Sequence, residues 1–349
     1  MESTQFTVSL LRASAEGFAG IAASRMFENG SAVDGAAQGF DAWKAQLRGQ
    51  VMELAAAVED GLPDRFCAHL AWSRDAFAAR GLSADGLRAG LARLGEVLEE
   101  SLTGEAWAPL PEFLDRAMTE LARSPSASES ELDADEAGGK LAEQYVTALL
   151  AGAGRRAIAL VCAAIEAGEL AADQVIESVL APALREIGRR WHLGEVTVAE
   201  EHFASFTTTQ ALTRILAMAP PAESNGRTVL LTAVAGDPHE IGIRFASAFF
   251  ELDGWASVCL GADTPAEDLA HMAARLDADL VCIGATLDRQ RESVARTIQA
   301  LRAARPGQRV LVGGSAFGGD AEVARRVGAD ASVKSAREAV RIARDLLRP

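Results

Sequence analysis

Cysteine is scarce in this chain. The four cysteines, Cys67, Cys162, Cys259 and Cys282, are scattered and form no C-x-x-C pair. That spacing excludes a zinc knuckle and a disulfide framework, and the four read as reduced core thiols of a cytoplasmic protein. Positive charge is in deficit, with 34 Lys and Arg against 49 Asp and Glu and a formal net charge of −15. A surface for nucleic acid or for anionic lipid needs the opposite balance, so direct nucleic-acid and membrane partners are not expected. No apolar run reaches the ~20 residues that span a bilayer. The first residues lack a basic stretch followed by an apolar one, so no secretory leader is expected. No G-x-G-x-x-G follows the first strand pattern, and G-x-x-x-x-G-K-[ST] is absent. Dinucleotide and P-loop phosphate chemistry are thereby set aside.

Hydrophobic residues make up 49% of the 349, rich in Ala and Leu but with only one Tyr. This length and composition suit a helix-rich protein of two or three domains. Residues 1–123 read as helices throughout. The expected segments are Phe6–Phe27, ending near Asn29-Gly30; Ala37–Val58, closed by Asp60-Gly61; Pro63–Arg80, stopped at Gly81; Leu87–Leu102, with Ser83 as a candidate cap; and Pro111–Leu121. Proline in the first turn and glycine past the last one support these bounds. Trp43, Trp72 and Trp107 are expected as core anchors. Cys67 and His69 share one helix but, two residues apart, point to different faces. The region offers no catalytic constellation and is expected to be a sensor or interaction domain. Residues 124–136, SPSASESELDADE, are short, polar and acidic and read as a linker.

Residues 137–220 read as a second helical unit, a four-helix bundle. Its helices are Lys140–Leu150, Arg155–Glu166, Ala172–His192 and one running to about Met218. Ile176, Leu180, Leu184, Ile187 and Trp191 recur at steps of three or four and so share one face. Gly194 ends that helix, and Thr197-Val198-Ala199-Glu200 reads as a capping box for the next. Glu201 and His202 then fall in its first turns. Taken alone, Trp191 fits core packing and the polar residues around it a solvated helical hairpin. After a second linker, Pro220–Gly226, strand and helix patterns alternate. The strands are Val229–Val234, Trp255–Leu260, Leu280–Gly284, Arg309–Val312 and Ala331–Val333. The helices are Glu240–Leu252, Pro265–Leu276, Arg291–Ala304, Asp320–Val327 and Ala336–Leu347. Residues 226–349 are therefore expected to form a five-stranded, doubly wound parallel sheet of flavodoxin-like, Rossmannoid type. The whole is an α plus α/β protein.

The stretch that organises the rest is Thr232–Phe245, TAVAGDPHEIGIRF. A buried strand, a tight loop and a helix follow one another there, and in such sheets ligands sit beyond the carboxyl ends of the strands. The loop carries Asp237, His239 and Gly242 as D-x-H-x-x-G. A neutral imidazole is a good transition-metal ligand, and a neighbouring carboxylate can take its other N–H, fixing the tautomer. Glycine in the first helical turn lets a bulky group approach the backbone. Alone, the motif fits a satisfied loop histidine as the commoner outcome.

A four-helix unit followed by a flavodoxin-like domain with D-x-H-x-x-G resembles the cobalamin-binding module. In that family the motif histidine, here His239, ligates cobalt from below in place of cobalamin's own base. Gly313-Gly314 after the fourth strand resembles the paired glycines beside the buried nucleotide tail. After the third strand the family has a serine. This chain reads Gly284-Ala285-Thr286-Leu287, and Thr286 is expected to supply the hydroxyl. Trp191, nine residues, then Glu201-His202 is similar to the W-x9-E-H signature of light-sensing B12 proteins of the CarH type. The resemblance implies adenosylcobalamin as cofactor, with Trp191 over the upper axial group and Glu201 and His202 against the adenosyl moiety. It also implies His192 as the group that takes cobalt from above after light breaks the Co–C bond.

CarH-type regulators begin with a small basic DNA-binding domain, whereas this chain begins with a larger helical one. That layout resembles the photocobilins, which pair cobalamin with a bilin such as biliverdin. A photoreceptor of this kind is a signalling protein and not an enzyme, acting on its own assembly as a homo-oligomer or on a downstream partner. Two other readings stay open: a corrinoid methyl carrier serving a separate methyltransferase, and a plain cobalamin-binding module.

Overall fold

The structure is a computed structural model and describes residues 2–28, 39–125, 130, 132, 133 and 138–348. The helix stop expected near Asn29-Gly30, the helix start expected at Ala37 and most of the linker expected at 124–136 lie outside the described residues. The chain divides into two units, residues 1–128 with 192–195, and residues 129–191 with 196–349. Among the described residues no helix is long and apolar enough to cross a membrane.

The described residues of the first unit hold the helices α1 (Glu2–Glu28), α2 (Phe40–Asp60), α3 (Pro63–Ala79), α4 (Asp85–Ser101) and α5 (Leu110–Leu121) and no strand. Gly61 closes α2 in the left-handed conformation, φ 68°, and Pro63 opens α3, as the punctuation of the sequence requires. Trp43, Leu47, Phe66 and Leu94 are fully buried in its core. Trp72 corrects the expectation of three tryptophan anchors, because it is 50% exposed. On α3 the buried residues are Phe66, Leu70, Ser73, Arg74 and Phe77, a stripe at helical spacing. Two residues beyond Leu70, Trp72 falls on the far side of the helix. Arg74 lies on the stripe because it is paired, donating to Glu120 Oε1 at 3.1 Å and to the Glu120 carbonyl at 2.8 Å.

The second unit begins with helices α6 (Gly139–Leu150) and α7 (Gly154–Glu166). The single helix expected over 172–192 is a continuous helical run in three parts: α8 (Ala172–Val175), a π-helical turn over Ile176–Leu180, and α9 (Ala181–His192). Next comes α10 (Val198–Met218), opened by the expected capping box. Thr197 N–H donates to Glu200 Oε2 at 2.7 Å, and Glu200 N–H to Thr197 Oγ1 at 3.3 Å.

The sheet has strands β1 (Thr228–Ala233), β2 (Ala256–Cys259), β3 (Leu280–Gly284), β4 (Arg309–Gly313) and β5 (Ala331–Val333). All neighbours are parallel, in the order β2-β1-β3-β4-β5. Helices α11 (Ile241–Leu252) and α15 (Ala336–Leu346) cover one face; α12 (Ala266–Arg275), α13 (Arg291–Ala304) and α14 (Ala321–Arg326) cover the other. Both faces are buried, so the strands read as near-continuous apolar runs. Along β1, Val229 and Leu231 join the core shared with helices α6 to α10, whereas Leu230 joins the opposite core. The strand order reverses between β1 and β3, the position at which such sheets open a crevice. There the register sets Ala233 opposite Gly284 and Gly284 opposite Gly313, so the carboxyl ends finish in one row.

Two polar clusters mark this unit, one between helices and one along α9. Arg337 of α15 donates to Glu177 at 2.8 Å and Asp173 at 2.9 Å, and its guanidinium lies 5.3 Å from the Phe249 ring centroid. Buried Glu186 on α9 accepts from Arg189 Nε and Nη2 at 2.8 Å and from Arg190 Nε at 2.6 Å. The Arg189 hydrogen bonds, with those from Arg190 and Ser130, outweigh the effect of burial and hold its pKa at about 2, from an ordinary 4.5. A depressed carboxylate pKa stabilises the fold above the unfolded value and loses that contribution as pH falls through the folded one. Glu186→Gln is therefore expected to lose on the order of 1–3 kcal/mol at pH 7, the scale of a buried charged hydrogen bond. Urea melts from pH 7 to pH 2 check this. The wild-type advantage is to shrink between about pH 4.5 and pH 2, and an advantage that does not change with pH removes Glu186 from this role.

Candidate functional site

The loop between β1 and α11 is built around Asp237. Its side chain is 1% exposed and accepts from three N–H groups. Oδ1 takes the His239 backbone N–H at 3.0 Å and His239 Nδ1 at 2.7 Å; Oδ2 takes the Thr286 backbone N–H at 2.7 Å. Burial alone pushes the Asp237 pKa up, but these donors together bring it below the ordinary carboxylate value. Its hydrogen bond with His239 raises the imidazole pKa, against desolvation, and the charges of Asp237 and Glu201 add to the rise. A carboxylate oxygen can only accept, so Nδ1 carries the hydrogen. Nε2 of the neutral ring then keeps its lone pair. The His239 side chain is 62% exposed, and no described residue hydrogen-bonds to Nε2.

Below this ring lies a cavity of about 490 Å³. Asp237, His239, Gly242, Gly284, Thr286, Gly313 and Gly314, singled out in the sequence, all line it. At Gly242 a side chain would project into open space, so its absence leaves room beside His239. At Gly314, φ is +95° and a Cβ would collide with the carbonyl oxygen of Ala285, so only glycine keeps β3 and β4 this close. The floor is apolar, with Phe245, Phe249, Leu311 and Val333. Thr286 holds its place through its backbone: its N–H meets Asp237, and its carbonyl accepts from Ser315 Oγ at 2.6 Å.

The helical run over the sheet adds Ile176, Glu177, Ala181 and Arg185 to the lining. Ile176 and Glu177 open the π turn. Such turns recur at functional sites, but periodicity cannot distinguish one from a plain helix, and these residues were not anticipated. On α10, Glu201 accepts from Ser205 Oγ at 2.6 Å and its carboxylate lies 3.8 Å from His202 Nε2. The His202 side chain is 74% exposed. Trp191 is partly buried and packs against the core of the second unit. His192 belongs to the first unit. There its ring is buried and stacked on Trp72, with centroids 4.3 Å apart, and its carbonyl accepts from Arg80 Nη1 at 2.9 Å. Burial, and then the Arg80 charge, lower its pKa; Asp75 opposes them. Trp191, His192, Glu201 and His202 do not line the cavity. Gln290 and Asp263, which hold the His239 loop from outside, carried no motif in the sequence. Their one signal was a place in the loops that follow β3 and β2.

Among the described residues no group of His, Cys, Asp and Glu forms a multi-residue metal site. A single imidazole beside a cavity suits a metal that brings its other ligands with it. Residues 227–344 match the family described as B12 binding domain, and residues 141–216 match a second family of the same description. Over 144 residues the chain is 34% identical to the HTH-type transcriptional repressor CarH of Myxococcus xanthus, covering 41% of this chain and 48% of the repressor. Over 184 residues it is 27% identical to the dimethylamine corrinoid protein of Methanosarcina barkeri, covering 52% of this chain and 85% of that protein. The structure of the Methanosarcina barkeri monomethylamine corrinoid protein shares the fold, with a TM-score of 0.51 and 18% identity over 60% of this chain and 100% of that one. The match spans about half the length of the Myxococcus repressors. Residues 141–216 and 227–344 are therefore B12-binding domains, and the protein is a cobalamin-binding one.

Proposed function

We propose that this protein is a light sensor that binds adenosylcobalamin with His239 as lower axial cobalt ligand, and that the helices around Trp191 carry the response. One observation carries the ligand assignment: the His239 ring is held at Nδ1 by buried Asp237 and is open at Nε2. A histidine oriented this way presents a single lone pair in a fixed direction. The other lining residues fit the cofactor. Gly242 leaves space beside the ring, the rims at Gly284 and Gly313-Gly314 carry no side chain, and the 490 Å³ cavity has an apolar floor for a part of the cofactor below His239.

When bound, adenosylcobalamin supplies a cobalt–carbon bond that visible light breaks. The chain's own part is to hold, cover and respond. Trp191, Glu201 and His202 stand in the W-x9-E-H spacing, which supports Trp191 as the cover over the upper face and Glu201 and His202 as contacts of the adenosyl group. His192, next to Trp191, is the proposed upper axial ligand in the lit state. Burial and the Arg80 charge favour its neutral form, the one that ligates a metal. A change confined to one face of the cofactor then biases a two-state arrangement of the helices, read out as a change of assembly or by a signalling partner. The helical first unit ahead of the B12-binding domains supports a bilin such as biliverdin as second chromophore.

One observation favours a second reading. The match to the dimethylamine corrinoid protein covers 85% of that protein, cap and sheet together. A corrinoid methyl carrier for a separate methyltransferase uses the same His239 and the same cavity, and differs in leaving the upper face open.

Absorption spectra decide between the two. Protein loaded with adenosylcobalamin in the dark is expected to shift its visible spectrum under green light and to keep the shift; methyl transfer from methylcobalamin to a thiol, with no lasting light response, instead establishes the carrier. A new far-red band after reconstitution with biliverdin is the expected sign of the bilin. His192→Ala should leave dark binding within about twofold and shorten the life of the lit state; identical lit spectra remove His192 from the response. Trp191→Ala should erase the preference for adenosylcobalamin over methylcobalamin, measured as a ratio of Kd values, and an unchanged ratio leaves it a packing residue.

A further inference from the structure

Gly236, one residue before Asp237, has both its backbone polar groups held by side chains from other loops. Its N–H donates to Asp263 Oδ1 at 2.7 Å, and its carbonyl accepts from Gln290 Nε2 at 3.1 Å. Gly236 sits at φ +85°, where glycine is needed, and Asp263 is itself left-handed at φ +53°. A non-glycine residue in that region costs about 1 kcal/mol or more and persists where its surroundings hold it. The other end of the Gln290 amide reaches the loop after β3. Oε1 accepts from the N–H groups of Thr286 and Leu287, each at 2.9 Å. The Thr286 N–H is thus shared between Gln290 Oε1 and Asp237 Oδ2. The Gln290 side chain is buried, with only 7% of the residue exposed. Its amide cannot be turned over, because the NH₂ would then face two N–H donors.

Gln290 is therefore a single side chain that joins the His239 loop to the loop carrying Thr286, and it fixes the N–H on which Asp237 rests. The His239 side chain is 62% exposed, and its ring is hydrogen-bonded to Asp237. Its direction comes through Asp237 and the backbone on either side. We infer that Gln290 is the positioning residue of this site, setting where the Asp237–His239 pair stands above the cavity. This rests on the reading of His239 as the cobalt ligand. The role requires an amide and excludes its acid: glutamate keeps an acceptor, loses the donor to Gly236, and brings a second carboxylate to the N–H that Asp237 uses.

The test uses the full chain, aquocobalamin as probe, and two substitutions of matching shape, Gln290→Met and Gln290→Glu. The readouts are Kd, the absorption band of imidazole-ligated cobalt, and hydrogen exchange at the Thr286 amide in cofactor-free protein. Loss of a group that orients a metal-binding histidine typically weakens binding about 10- to 100-fold. Both variants are expected in that range, with Glu the weaker binder, a smaller imidazole-ligated fraction and faster Thr286 exchange. Wild-type affinity and spectrum in both overturn the inference. If neither variant folds, Gln290→Asn, which keeps the amide but is too short to hold both loops at once, must show the same spectral loss, and a wild-type spectrum there overturns the inference equally. His239→Ala, measured alongside, separates the two levels. If it too keeps the wild-type band, the ligand reading itself fails; if it alone loses the band, only the role of Gln290 does.

Discussion

The second unit's site depends on one buried carboxylate. Asp237 is out of water, where an unpaired charge is costly, and it is stable there because three N–H groups point at it. Two of those donors belong to His239 and one to the loop after β3. Removing the carboxylate would release the ring, its own loop and the neighbouring loop together. The arrangement accounts for the local sequence. The proline between Asp237 and His239 fixes one φ angle, and the tight spacing lets a single oxygen take both the backbone and the ring of the residue two positions on. An imidazole held at one nitrogen by a carboxylate is more basic at the other, which suits it to a metal and raises its affinity for a proton alike.

What the sequence made legible, and what it hid, follows from the range of the interactions involved. Strands buried on both faces advertise themselves as apolar runs, and β3 falls where such a run does. Helices that end at Gly61 or begin at Pro63 or after Thr197 carry their signals within a few residues. The lining residues Gly284, Gly313 and Gly314 were visible for the same reason, since they stand at the carboxyl ends of β3 and β4. Trp72 was misread because composition favours a buried tryptophan, whereas the phase of α3 places this one outside. Gln290 and Asp263 were hidden because their importance lies in partners 54 and 27 residues away, and no local pattern marks an amide that will join two loops. The π turn was hidden for a third reason: its apolar positions also satisfy an ordinary helix.

The cap helices and the sheet share one hydrophobic core, with Tyr145, Val175 and Ile187 on one side and Val229, Leu280 and Phe250 on the other. Because that contact is dry and continuous, the helical run that includes the π turn is held firmly over the strand ends. Arg337 reinforces it from α15, pairing with residues on α8 and the π turn. The cavity is thus walled by two kinds of element. Its lower wall joins the glycines of the strand ends to apolar side chains such as Phe245, Phe249, Leu311 and Val333. Its upper wall is the side of a helical run, where Ile176 belongs to the shared core, Glu177 pairs with Arg337, and Ala181 and Arg185 complete the lining.

That asymmetry separates the question of what is bound from the question of what binding does. A repressor and an amine-related corrinoid protein both match this chain, and the lower wall, with His239 and its glycines, serves either role equally well. Under the proposed reading, the function is decided on the other face of the cofactor, by residues that do not line the cavity. In the proposed reading Trp191, a large and partly buried side chain, is the cover, and a group over the upper face would keep a methyl acceptor out while keeping a photolysed fragment in. Those two consequences exclude one another as designs. A carrier must expose the upper ligand to a partner enzyme at each turnover, and a sensor must confine it until light arrives. The same tryptophan that argues for the sensor argues against the carrier, and the weight of the functional assignment rests on the cap, not on the sheet.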